Sequence, residues 1–106
     1  MALPHAASGQ VVDLLGGQVS DKTFALFKTQ QLEVMRLVLP AGKPVPPHRV
    51  AGEITVQCLQ GRLQFTSEGR TQLMCAGQLL HLAGGEEHGL LALEDAVVLV
   101  TIVLRG

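Results

Sequence analysis

Tryptophan and tyrosine are absent from this sequence and phenylalanine occurs only three times, so the aromatic platforms on which exposed bases stack are missing. An excess of one charge sign is missing as well. Eight Lys and Arg face nine Asp and Glu, a formal net charge of −1, with no basic stripe to follow a phosphate backbone. Nucleic acid is therefore not an expected partner. Cysteine is scarce: Cys58 and Cys75 are too few for a disulfide scaffold, and each reads as a structural thiol kept reduced. The longest apolar run, Ala96 to Leu104, is broken by Thr101 and falls far short of the roughly 20 residues of a membrane-spanning helix, so no membrane partner is expected. Met1 to Gly9 carries neither a basic stretch nor a sustained apolar one. It does not read as a secretory signal, and the expected location is the cytoplasm. No G-x4-G-K-[ST] loop occurs, Gly84-Gly85 leads into Glu86-Glu87, and Ser8, Ser20 and Ser67 lie outside any G-x-S-x-G elbow. Nucleotide chemistry and serine-nucleophile catalysis lose their usual signatures with them.

What is present is apolar residue in short runs. Hydrophobic side chains make up 47% of the 106 residues and charged ones 16%, enough to bury a core in one domain covering 1–106. Helix signals are weak, while runs rich in Val, Leu, Ile and Thr recur between Gly and Pro. That pattern predicts an all-β protein of about eight antiparallel strands. Its core runs from about residue 23 to 104, with 1–22 as an N-terminal extension containing a first strand, Val11 to Leu15, before Gly16-Gly17. Strands are then expected over Thr23 to Thr29, following the turn-like Ser20-Asp21, and over Gln31 to Leu39. The segment Pro44-Val45-Pro46-Pro47 has no backbone donor at three positions and reads as a rigid approach to His48 outside any ladder.

The clearest strand is Ile54-Thr55-Val56-Gln57-Cys58, whose alternation places Ile54, Val56 and Cys58 on one face and Thr55 and Gln57 on the other. Arg62 to Thr66, a turn at Ser67 to Arg70 and Thr71 to Cys75 extend it as an antiparallel meander, followed by Leu79 to Leu82, His88 to Leu93 and the C-terminal apolar strand. Leu93 to Leu104 and Gln31 to Leu39 are apolar on both faces. One face of each meets the core and the other predicts a second apolar surface, hence a homodimer.

Two glycine frames carry the remaining information. The first runs from Gly42 through His48, Val50 and Ile54 to Gly61 as G-x5-H-x-V-x3-I-x6-G, and the second from Gly77 through Gly85 to His88 as G-x5-A-x-G-x2-H-x3-A. Their spacing resembles the two motifs of the cupin family, G-x5-H-x-H-x3-E-x6-G and G-x5-P-x-G-x2-H-x3-N. The resemblance covers roughly residues 31 to 104 and implies a double-stranded β-helix, or jelly-roll, barrel in which His48, Val50, Ile54 and His88 converge on one pocket. It also implies dimer pairing, and, in members with a full ligand set, a first-row metal serving oxygenation, isomerisation or epimerisation. Here the second histidine position holds Val50 and the glutamate position Ile54.

Two imidazoles alone leave a divalent ion mostly hydrated, and Val50 and Ile54 make the pocket apolar and hostile to a dication. The expected protein therefore binds a small organic ligand in a pocket lined by His48, Val50, Ile54, Val56, Cys58 and His88, with no tightly held cofactor. The alternative is a metal-dependent enzyme of dioxygenase or isomerase type, holding Fe, Mn, Ni or Zn through His48 and His88, with Cys58 or solvent completing the sphere. A ligand-free structural module is the bland counterpart. Glu53 reaches the ligand position only through a register slip that the alternation opposes, and reads as a rim residue. His81, within Leu79-Leu80-His81-Leu82, reads as a satisfied core or interface histidine.

Overall fold

A computed structural model describes residues 5–15 and 22–104. The expected turns at Gly16-Gly17 and Ser20-Asp21 lie outside the described residues. Nine strands appear there: β1 (Phe24–Lys28), β2 (Leu32–Leu39), β3 (Pro44–His48), β4 (Ile54–Gln60), β5 (Arg62–Ser67), β6 (Arg70–Cys75), β7 (Leu79–Leu82), β8 (His88–Ala92) and β9 (Ala96–Val103). They form a five-stranded sheet in the order β1-β2-β9-β4-β7 and a four-stranded sheet in the order β3-β8-β5-β6, antiparallel throughout. The result is a jelly-roll, as expected.

Alternation in β4 is realised side by side. Ile54, Val56 and Cys58 are buried, Thr55 and Gln57 are half-buried on the opposite face, and register carries this parity across the sheet. Ile54 faces Ile102 and Leu82, Val56 faces Val100 and Leu80, and Cys58 faces Val98. The second sheet answers with Leu63 and Phe65 of β5 and Leu90 and Ala92 of β8. Each fully buried side chain of this size contributes about 1.5–3 kcal/mol relative to exposure.

Three local expectations are corrected. Val11 to Leu15 forms no strand, and Val11 is almost fully exposed. Instead this segment crosses the outer side of the larger sheet, where the Leu14 carbonyl accepts the Nε–H of buried Arg36 at 2.9 Å. Proline did not keep Pro44 to Pro47 out of a ladder. β3 is an edge strand on β8, Pro44 facing Leu91 and Val45 facing Leu90, with a register irregularity between Val45 and His48. An edge tolerates residues without N–H because their carbonyls still accept. The meander is also interrupted. β5 and β6 form the expected hairpin, but β4 pairs with β7 and β9, so the chain changes sheets between β4 and β5. Gly61 makes that change possible with φ of 81°, at a site where a Cβ would collide with the Asp95 carbonyl oxygen.

Candidate functional site

The glycine-framed histidines meet. His48, last residue of β3, stands opposite His88, first of β8, with ring centroids 4.4 Å apart and planes inclined at 55°. His88 is buried and lies parallel to Phe65, 5.8 Å between ring centres, whereas His48 is exposed at the rim. Each ring is oriented by the backbone two residues upstream: His48 Nδ1 lies 3.1 Å from the Pro46 carbonyl oxygen, and His88 Nδ1 lies 3.0 Å from that of Glu86. A carbonyl only accepts, so Nδ1 is the donor in both contacts, and in the neutral tautomer that this fixes Nε2 carries the lone pair.

Both imidazoles border a cavity of about 460 Å³ between the sheets. Ile54, Val56, Val100 and Ile102 form one wall, extended by Met35, Leu37 and Leu39 of β2, and Val45, Phe65 and Leu90 form the other. Thr23, Lys43, His48 and His88 are its polar lining residues. Of the residues expected to converge, His48, Ile54, Val56 and His88 line the cavity. Val50 and Cys58 do not. Val50 packs against the core from the β3–β4 connection, and Cys58 is fully buried, its Sγ 3.4 Å from the Gln60 carbonyl and 3.5 Å from that of Gly61. Burial, then the neighbouring Cys75, raise its pKa, and the backbone contact only partly opposes them.

Lys43, Thr23, Phe65 and the β2 residues went unread as site residues. Their signal is non-local, since the cavity exists only once β2 and β5 face each other. Glu53 and His81 pair with one another, Oε1 to Nε2 at 2.8 Å, with both side chains more than half exposed. His81 therefore belongs neither to the core nor to the cavity, because it occupies the outward parity of β7 opposite Thr55. His88 also borders a shallower polar recess with Arg49, Ser67 and Glu87, where Arg49 and Glu87 lie 3.5 Å apart.

A resident divalent ion ordinarily takes at least three protein donors. Among the described residues no three His, Cys, Asp or Glu side chains come together, so this donor set does not fit a tightly held metal. No helix among them is long and apolar enough to cross a membrane.

No protein-family model and no curated protein matches this sequence. Solved structures do. A conserved protein of unknown function from Streptococcus pyogenes superposes with a TM-score of 0.78 at 23% identity, covering 100% of this chain and 96% of the other. An RmlC-like cupin from Desulfovibrio desulfuricans matches with a TM-score of 0.78 at 22% identity, over 89% and 96% of the two chains. KdgF from a Halomonas species matches with a TM-score of 0.72 at 21% identity, over 79% and 80%. Strand order, glycine frames and these likenesses agree: the chain has the cupin fold, an antiparallel double-stranded β-helix.

Proposed function

We propose that this chain is a small cupin-fold binding protein whose cavity takes a small organic molecule without a tightly held metal. The observation that carries this reading is the pairing of an apolar-walled space of about 460 Å³ with two backbone-oriented imidazoles and, among the described residues, no third metal donor. A volume of that order falls within the range of small-molecule pockets. Apolar walls supply the driving force and a few fixed polar groups set orientation.

A second reading is favoured by one feature. Histidines that ligate metals typically donate the other ring N–H to a carbonyl or carboxylate, and both His48 and His88 do so. On this reading the two Nε2 atoms hold a weakly bound ion completed by solvent, and the protein is a metal-dependent enzyme.

Elemental analysis of protein purified without chelator and incubated with Fe(II), Mn(II), Ni(II) or Zn(II), beside a His48→Ala/His88→Ala variant, separates the two. The binding-protein reading expects well under one metal per chain, unchanged by the substitutions. About one metal per chain, lost in the variant, overturns it.

A further inference from the structure

Resting on the reading of the cavity as a ligand site, we propose that its occupant is bipolar: a carboxylate held by Lys43 at one end, a hydrogen-bond donor such as a hydroxyl held by the His48–His88 pair at the other, and an unbranched apolar body between. Charge in the lining is one-sided. Among the described residues Lys43 is its sole ionised side chain, no Asp or Glu borders the space, and the ammonium has no hydrogen-bond or ion-pair partner. It presents three donors and no acceptor, the complement of a carboxylate oxygen.

The histidine end has the opposite character. With Nδ1–H donated to Pro46 and Glu86, each neutral ring offers an acceptor at Nε2, which suits a ligand donor. The fourth polar group is already engaged, because Thr23 Oγ1 accepts the Val38 N–H at 2.8 Å.

Register sets the two ends apart. Lys43 immediately precedes β3 and His48 closes it; with the irregularity after Val45 they stand beside Ala92 and His88, four residues of the partner strand at about 3.3 Å each, hence about 13 Å apart. On the opposite sheet Leu39 lies towards the Thr23 end, Met35 and Val100 face each other midway, and Ile54 and Ile102 lie beyond them. Everything between is apolar. At about 30 Å³ per heavy atom, a scale borrowed from liquid packing, the space admits roughly fifteen heavy atoms. Polyhydroxylated acids are excluded on the same ground, since hydroxyls along their length would meet walls with no partners.

The test is calorimetric titration of the full chain with 10-hydroxydecanoate, decanoate, 1-decanol and gluconate, repeated on Lys43→Met, Lys43→Arg and His48→Phe. The expected order is hydroxydecanoate tighter than decanoate, decanoate tighter than decanol, and gluconate not bound. Lys43→Met is expected to weaken both acids about tenfold, the scale of one charge-assisted hydrogen bond, and to leave decanol unchanged; Lys43→Arg restores the acids. His48→Phe removes the advantage of hydroxydecanoate over decanoate. Unchanged decanol binding shows that the Lys43 variants are folded, and a circular dichroism spectrum and urea midpoint matching the parent show that His48→Phe is. Equal binding of acid and alcohol, indifferent to Lys43→Met, overturns the carboxylate assignment and leaves the cavity a ligand site. Gluconate binding as tightly as decanoate overturns the apolar body. Failure of every apolar probe to bind overturns the ligand-site reading itself, and this assignment with it.

Discussion

Ile54 stands directly opposite Ile102 across the β4–β9 ladder, and both side chains line the cavity together with His48 and His88. An apolar pair thus occupies the level at which the cupin motif would place a carboxylate. Ile54→Glu should bury a charge with no cation beside it, since Lys43 lies at the other end of β3, and should cost about 3 kcal/mol at neutral pH. Burial raises the pKa of the introduced carboxyl above its unfolded value. The protonated form is then tolerated below about pH 4 and the cost develops as pH rises. Urea midpoints at pH 4 and pH 7 measure this. Zn(II) is expected to raise the midpoint of the variant and not of the parent, because the carboxylate supplies a third donor.

The Cys58 thiol is expected to be inert. It is fully buried, and burial pushes its pKa up, so the reactive thiolate is scarce at pH 8 and reagent is excluded. A chromogenic disulfide reagent should titrate about one thiol per native chain, the half-buried Cys75, and both in denaturant. The linkage sign follows from the raised folded pKa. Stability from this group is complete below the unfolded thiol pKa of about 8.5 and is lost as pH rises past it. Urea midpoints should therefore fall between pH 8 and pH 10, and Cys58→Ala should flatten that slope.

Legibility in the sequence followed the range of the signal. Strict alternation over Ile54 to Cys58 identified both the strand and its buried face, because period two is a local property that burial on one side enforces. Glycine frames located the His48–His88 pair for a similar reason: Gly61 and its neighbours tolerate backbone geometry that other residues resist. β3 was missed because proline's lost donors were read as exclusion from pairing, whereas an edge needs only its carbonyls. Lys43 was missed because nothing in its own neighbourhood marks it. Its place at the cavity depends on β2 of the larger sheet coming to face the sheet that holds β3 and β5. Cys58 shares the inward parity of Ile54 yet lies beyond the cavity, since parity names a face but not a depth.

The Glu53–His81 pair should matter little. Both side chains are more than half exposed, where ion pairs contribute about 0–1 kcal/mol. Glu53→Gln is expected to shift stability by less than about 0.5 kcal/mol and to leave metal content and probe binding unchanged. Loss of bound metal or ligand in this variant would mean that Glu53 reaches the cavity by the register slip that the observed β4–β7 and β4–β9 pairings oppose.

The outward face of the larger sheet is expected to pair two copies of the chain. Leu99 sits at its middle, opposite Arg36 on one side and Gln57 on the other, and is half-buried. Leu32, Leu79 and Val103 are exposed around it. Such apolar side chains on a single sheet face are costly to leave in water, and the segment through Leu14 meets the face at Arg36. Sedimentation equilibrium should give a dimer, and Leu99→Asp a monomer, since each charge at a twofold interface would meet either its own copy or apolar surface. Leu99 points away from the cavity by parity, so decanol binding should survive in the monomer; a wild-type monomer at tens of micromolar would refute the pairing.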